Sequence, residues 1–227
     1  MNVLAFDTAT AATVAAFGDL ERRDDPPAGT RPGHAQKLLS LIHAVLDASQ
    51  AGWSDVDRIA VGVGPGTFTG LRIGIATAQA LAQATGIELV GVSTLASLEL
   101  AARGVHGDGR AILAVIDARR NEAFVSGAGL RPCVLTPEAL GEVARAVGGG
   151  RAGIDSSNGV LAVGDGALKF RSQLERAGAT VPDDDSPLHR VSAVYHRRLA
   201  LDAQPTTTGV IKPEYLRQPD AELARRA

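Results

Sequence analysis

The chain has 227 residues, 45% of them hydrophobic and 21% charged, a composition that is typical of a folded globular protein and excludes a disordered or fibrous one. A net charge of -2 excludes the overall positive field that draws basic proteins to nucleic acid, so any RNA contact would need a local patch or a partner. The single cysteine, Cys133, excludes an internal disulfide framework and a cysteine-based zinc site, and we expect a reducing cytoplasmic environment.

The N-terminal segment predicts a hairpin, a loop and a helix. Its opening, MNVLAFDT, lacks the basic leader of a signal peptide, and no uncharged run of the chain is long enough to cross a bilayer. An apolar run that ends at Asp7 and a second one over 13–17 predict the hairpin. Residues 21–33 are rich in charge, proline and glycine, which favours a loop. A helical pattern begins at His34, and its apolar stripe consists of Leu38, Leu41, Ile42, Val45 and Leu46.

Strands and helices then alternate. Apolar runs over 59–63 and 88–92 predict buried strands, with a helix over 70–85 between them. A further helix over 93–103 begins with Ser93 as its expected N-cap. This alternation favours an α/β sheet.

The second part of the chain opens like the first. A glycine-rich break over 104–109 predicts a boundary between an N-terminal half, 1–104, and a C-terminal half, 105–227. The stretches LAFDTATAATVAAFG and LAVIDARRNEAFVSGAG share the order strand, aspartate, turn, strand, with Asp7 and Asp117 in matching places. The repetition indicates a duplicated architecture, although aspartate is common in turns and coincidence stays open. The sequence after this repeat predicts a helix over 137–147, capped by Thr136, and then the glycine-rich linker GGGRAG. A strand over 160–163 and helices over 167–177 and 191–201 follow. The chain is expected to close with an extended tail whose charged end is frayed.

The glycine-rich stretch RIAVGVGPGTFTGLRIGIATAQALA raises the question of phosphate binding. In the dinucleotide fingerprint G-x-G-x-x-G, the third glycine would fall on Thr67 or Thr69, and a P-loop needs a lysine, which is missing between Lys37 and Lys169. The five histidines form no zinc-protease motif, and no G-x-S-x-G occurs. We therefore expect these threonines to cap a helix, although an anion at that helix N-terminus stays open.

Two further features allow a structural and a functional reading. A carboxylate at a strand end beside threonine hydroxyls can hold hydrated magnesium or orient a phosphate. The candidate contacts of this kind are Asp7, Thr8, Thr10 and Asp117, although a structural role in a turn is the simpler reading for each.

In the helix over 70–85, glycine costs about 1 kcal/mol relative to alanine, so Gly74 needs a close neighbour. That neighbour lies either in the same chain or in a partner subunit.

The stretch GVGPGTFTGLRIGIATAQALA resembles the signature of the bacterial TsaB (YeaZ) family of tRNA threonylcarbamoyladenosine biosynthesis proteins. The motifs DTAT, IDARRNEAF and EYLRQPDAEL and the histidine before a leucine-rich helix resemble it as well, so the resemblance runs from Asp7 to Leu223. Thr67 stands where the family often has serine, and Gln79-Ala80 where Lys-Gly is common.

The resemblance implies an α/β fold of two related actin-like, ribonuclease H-like (ASKHA) halves, each a mixed sheet flanked by helices. It implies a non-catalytic scaffold subunit of the threonylcarbamoyl transferase complex, which modifies the adenosine next to the anticodon of ANN-decoding tRNAs. The subunit would bind and activate TsaD, with TsaE joining, would self-associate as a homodimer, and would meet tRNA only through the complex. It would hold no metal and need no cofactor of its own, since the assembled complex uses ATP and magnesium.

The partner-binding surface implied by the resemblance comprises His34, Leu38, Leu41, Ile42, Val45, Phe68, Gly70, Leu71, Gly74 and Ala78. The alternative function is an actin-like ATPase or phosphotransferase that uses Asp7 and Asp117 with magnesium. A peptidase has no support, because no nucleophile or metal motif is present.

Overall fold

The computed structural model describes residues 1–27, 29–106, 109–149, 159–206 and 211–217. The elements of the first half are, in chain order, β1 (Val3–Asp7), β2 (Thr13–Phe17), β3 (Leu20–Asp24), α1 (His34–Ala48), β4 (Arg58–Gly64), α2 (Phe68–Thr85), β5 (Glu88–Ser93) and α3 (Thr94–His106). Those of the second half are β6 (Ala111–Arg119), β7 (Glu122–Gly127), β8 (Leu130–Leu135), α4 (Pro137–Gly148), β9 (Val160–Val163), α5 (Asp165–Lys169), α6 (Arg171–Arg176), β10 (Ala179–Thr180) and α7 (Ala193–Asp202).

Within these residues, the strands form two mixed sheets of the same topology. The first has the order β3-β2-β1-β4-β5, and the second, in the matching direction, has the order β8-β7-β6-β9-β10. In each sheet the first three strands are antiparallel neighbours and the other two pair in parallel. The predicted α/β fold of two related halves is therefore confirmed.

Several elements differ from the sequence-based prediction. The segment 21–33 was expected to be a loop, but its start belongs to the edge strand β3, whose charged sequence LERRD suits a strand with one free edge. The edge strand β8 was not predicted, because Pro132 interrupts its pattern; an edge position tolerates proline. The helix expected over 167–177 is two short helices that meet at the buried Phe170. The linker GGGRAG and the charged C-terminal end lie mostly outside the described residues.

The helix α7 belongs to the second half in sequence but packs on the first sheet, against β1, β2, β4 and β5. Glu21 of β3 lies at its N-terminus, where Oε2 accepts hydrogen bonds from Ser192 Oγ (2.7 Å) and Val194 N (3.4 Å). The buried Arg58 of β4 lies at its C-terminus and donates from Nη1 to the carbonyl oxygens of Ala200 (2.6 Å) and Ala203 (3.0 Å).

The predicted division into 1–104 and 105–227 stays a prediction, and side chains from both parts share a hydrophobic cluster. One hydrophobic cluster contains side chains of both sheets and of α7, among them Ala5, Leu98, Ile116 and Ala200. None of the helices in the described part of the chain is long and apolar enough to cross a membrane.

Candidate functional site

The glycine-rich loop between β4 and α2 lies against the end of β1. A Cβ atom at Gly62 would overlap the Asp7 carboxylate, and one at Gly66 would overlap the carbonyl of Ala9. The backbone N–H of Thr67 donates to this same carbonyl, with N and O 2.7 Å apart. Thr67 also caps α2, as predicted, because its hydroxyl accepts from the N–H of Gly70. The glycines thus permit close packing of two segments of one chain.

The small-residue face of α2 packs against this segment too. A Cβ atom at Gly70 would overlap the carbonyl oxygen of Thr8, and one at Gly74 would lie 2.5 Å from Thr8 Oγ1. That hydroxyl donates to the carbonyl oxygen of Gly70 at 2.7 Å. Leu71 and Ala78 are buried in the core as well. The close neighbours of these four α2 residues belong to the same chain, and their contact with a partner stays a prediction.

The predicted partner contacts on α1 are also mostly internal. His34, Leu38, Ile42 and Val45 are buried, and Leu41 is partly buried. His34 Nδ1 lies 2.8 Å from Thr13 Oγ1, and burial lowers the pKa of His34, which favours its neutral form. These side chains fix α1 to the first sheet. Of the ten predicted partner residues, Phe68 alone is classed as exposed, at 40%.

Asp7 is enclosed by its own chain, at 1% exposure. Its Oδ2 lies 2.9 Å from His196 Nε2 and accepts from Thr94 Oγ1 at 2.8 Å, while Oδ1 accepts from Ala9 N at 2.6 Å. Burial alone would raise its pKa, but the pair with His196 and the hydrogen bonds outweigh it, so the pKa of Asp7 lies below its ordinary value. Asp7 and the equally buried Thr8 do not form the open phosphate site that their sequence suggested.

Asp117 occupies the equivalent position in the second sheet but has different neighbours. Its Oδ1 accepts from Lys169 Nζ at 2.7 Å and from the backbone N–H of Arg119 at 2.8 Å, and its Oδ2 lies 3.2 Å from Arg119 Nη1. Its own N–H donates to Asp165 Oδ1 at 3.1 Å, and burial raises the pKa of Asp165. The carboxylate of Asp117 is thus already paired with two cations of its own chain.

Thr10 lines a cavity between the halves, together with Asp165, His189 and Arg190. The volume of this cavity is about 130 Å³. Sites for nucleotides and similar small molecules usually measure roughly 300–1,000 Å³. Of the four candidate nucleotide contacts, only Thr10 lines this cavity. Among the described residues, no group of three acidic, histidine or cysteine side chains could hold a metal.

The outward side of α2 carries the exposed residues that sequence reasoning largely missed. Phe68, Arg72, Ala76 and Ala80 recur at every fourth position and are all exposed; we call them, with Tyr215, the outer α2 face. The Phe68 ring stacks on Tyr215 with centroids 5.5 Å apart, and the Arg72 guanidinium carbon lies 3.8 Å from the Phe68 centroid. The signal that could have revealed this face is its helical spacing, opposite the glycines.

Comparisons with known proteins agree with this architecture. The family model described as "TsaD: tRNA N6-adenosine threonylcarbamoyltransferase" matches residues 26–158, more than half of the chain. The tRNA threonylcarbamoyladenosine biosynthesis protein TsaB of Escherichia coli (strain K12) is 39% identical over 125 residues, which are 55% of this chain and 53% of that protein. The protein of the same name from Bacillus subtilis (strain 168) is 35% identical over 94 residues, 41% of this chain and 40% of that protein. The chain spans about half the length of the first curated relatives it matches.

Solved structures match over nearly the entire chain. YeaZ from Pseudomonas aeruginosa has a TM-score of 0.72 and 27% sequence identity, and the match covers 95% of this chain and 100% of that one. The ROK hexokinase from Thermus thermophilus shares the fold alone, with a TM-score of 0.50 and 14% sequence identity. That match covers 89% of this chain and 100% of the hexokinase chain. The family model, the curated relatives and the YeaZ structure together show that this chain belongs to the TsaD-like family of that model and, within it, to the TsaB/YeaZ proteins.

Proposed function

We propose that this chain is a non-catalytic scaffold subunit in tRNA threonylcarbamoyladenosine biosynthesis. It binds and activates a TsaD-type subunit that transfers the threonylcarbamoyl group to the adenosine next to the anticodon of ANN-decoding tRNAs, and TsaE joins the two. The similarity to proteins named TsaB supports this assignment. The observation that carries the non-catalytic role is the enclosure of Asp7 by His196, Thr94 and the glycine-rich loop, since catalysis at this strand end would need a free carboxylate.

In this proposal, ATP and magnesium are used by the assembled complex and the chain itself needs no cofactor. Transfer RNA meets the chain only through the complex, which agrees with its net charge of -2.

The outer α2 face is the proposed docking surface for the TsaD-type subunit. Its exposed aromatic rings are of the kind that anchor protein interfaces, and the small side chains of Ala76 and Ala80 let a second helix approach closely. Arg72 has no carboxylate partner among the residues that the structure describes. The surface therefore fits a partner helix that brings apolar side chains and a carboxylate. Homodimers of this chain would use the same surface and compete with that partner.

A matched pair of substitutions tests the docking surface. Ala76→Arg places a long cation on the outer α2 face, whereas Ala146→Arg makes the same change at an exposed position of α4. The first variant should no longer co-elute with the TsaD-type subunit, and the second should co-elute like the unmodified chain, with both circular dichroism spectra unchanged. Co-elution of Ala76→Arg at full yield would contradict this surface. Gly74, which is buried against Thr8, is not a suitable position for this test.

Reconstitution tests the function itself. Modification of an ANN-decoding tRNA should require this chain in addition to the TsaD-type subunit, TsaE, ATP and magnesium, and omission of the chain should abolish it. ATP turnover by the pure chain that is lost in Asp7→Ala and in Asp117→Asn would instead support the actin-like ATPase. The second variant is needed because Asp7 is buried and its replacement also affects folding.

A further inference from the structure

Residues 211–217 contain neither helix nor strand, and this segment, here called the tail strap, contacts both halves. At its start, the carbonyl oxygen of Ile211 accepts from Gln79 Nε2 of α2 at 3.2 Å. In its middle, the N–H of Glu214 donates to the carbonyl oxygen of Val63 in β4 at 2.7 Å. At its end, Arg217 Nη1 pairs with Glu122 Oε2 of β7 at 2.7 Å. The strap is therefore fixed to the first sheet at one end and to the second sheet at the other.

The side chains of the strap divide into an inner and an outer set. Ile211 is 7% exposed and belongs to the hydrophobic core of the first half. Tyr215 is 41% exposed, although its ring stacks on Phe68 and its hydroxyl accepts from Arg72 Nε at 3.4 Å. Because Ile211 already anchors the strap in the core, core packing does not explain why the Tyr215 ring stacks on the Phe68 ring, which is also half-exposed at the surface.

We propose that the tail strap is part of the docking surface for the TsaD-type subunit: Tyr215 contacts the partner, and the Arg217–Glu122 pair positions Tyr215. This inference rests on the proposed function and adds to it a second segment and two positioning residues, Arg217 in the strap and Glu122 on the other sheet. The partner supplies an apolar side chain to the Phe68–Tyr215 rings and a carboxylate to Arg72, whose charge has no acidic partner in the described part of the chain.

The Arg217–Glu122 pair suits a positioning role better than a stabilising one. Its side chains are 29% and 32% exposed, and ion pairs in such surroundings contribute little to folding stability. A fixed contact two residues from Tyr215 does, however, limit the rotation of the strap before the partner arrives. Ordering one side chain in advance changes an affinity by about two- to tenfold.

The test is the dissociation constant between the TsaD-type subunit and variants of the full chain, measured by titration calorimetry. Tyr215→Ala should weaken binding by about tenfold or more, as for a buried aromatic anchor, and Tyr215→Phe should bind within about threefold of the unmodified chain. Glu122→Gln and Arg217→Gln should each weaken binding by about two- to tenfold, and the double variant by no more than either alone. Asp19→Asn breaks a comparable surface pair, with Arg197, and should leave the affinity unchanged.

The outcomes separate the two proposals. If the unmodified chain does not bind the TsaD-type subunit, the proposed function fails and this inference fails with it. If the unmodified chain binds but Tyr215→Ala binds equally well, or Glu122→Gln and Arg217→Gln have no effect, the inference alone is overturned. Thermal unfolding of each variant identifies any loss of folding. Glu122→Gln removes the ion pair with Arg217 without changing the sequence of the strap, because Glu122 lies in β7 of the other sheet.

Discussion

Replacing glycine by alanine should have opposite effects at two buried helix positions, Gly74 of α2 and Gly141 of α4. A Cβ atom at Gly141 would have its nearest neighbour, Gln173 O, at 3.7 Å, which is an ordinary contact. A Cβ atom at Gly74 would lie 2.5 Å from Thr8 Oγ1, a hydroxyl that is fixed by its hydrogen bond to Gly70 O. The two substitutions share the helix-propensity gain, so their difference isolates the contact with Thr8.

The expected magnitudes follow from these distances. Gly141→Ala should stabilise the fold by about 0.5–1 kcal/mol, the gain from restricting the unfolded backbone. At Gly74 the same gain is opposed by overpacking of about 1–3 kcal/mol and by disturbance of a buried hydrogen bond worth about 1 kcal/mol. The net loss is about 1–3 kcal/mol, or a decrease in Tm of about 2–12 °C for a chain of this size.

Thermal and urea unfolding of four variants would check this reasoning. In a Thr8→Ala background the nearest neighbour of the new Cβ at Gly74 would be Val61 Cγ2 at 3.6 Å, so Gly74→Ala should then be neutral or stabilising. A clash with Thr8 is refuted if Gly74→Ala stabilises the unmodified chain as Gly141→Ala does, or if its cost is the same with and without the Thr8 hydroxyl.

Four other substitutions test the contacts around the closed strand end, α7 and the start of α2. Asp7→Asn breaks the buried pair with His196 and should cost about 3–5 kcal/mol in urea unfolding. The pKa of Asp7 is lowered from 3.8, so the ionised carboxylate contributes to folding stability above that pH, and this contribution is lost as the pH falls through the lowered pKa. The free energy of unfolding of Asp7→Asn should therefore depend less on pH in this acidic range. Arg58→Met removes the side-chain donor to the carbonyl oxygens of Ala200 and Ala203 at the C-terminus of α7, and should cost about 1–3 kcal/mol for each. Glu88→Gln changes the half-exposed ion-pair partner of Arg58 and should cost less than about 1 kcal/mol. Thr67→Ala removes the α2 cap and should lower stability by about 1 kcal/mol, seen in thermal unfolding.

The duplicated fold was predictable from the sequence because its signal is local. The apolar runs ending at Asp7 and Asp117, each followed by a turn and a second strand, lie within short windows and give β1–β2 and β6–β7. The strands β3 and β8 were not predicted because edge positions accept charge and proline, which weaken the alternating pattern.

The site was less predictable because its contacts are distant in sequence. His196 meets Asp7 from the far end of the chain, and no spacing rule connects them. The small residues of α2 predict a close neighbour but do not identify it; the structure assigns that neighbour to Thr8. The small residues on that side of α2 contact their own chain, and of the partner residues predicted on this helix Phe68 is the exposed one.

The position of α7 also determines when the first sheet can be completed during synthesis. Chains emerge from the ribosome N-terminus first, so β1 to β5 are available long before residues 193–202, which cover one side of them and carry His196 to Asp7. Until then that side exposes apolar side chains such as Ala5 and Val90. A fragment that ends at the boundary expected near residue 104 would keep this surface exposed and should aggregate.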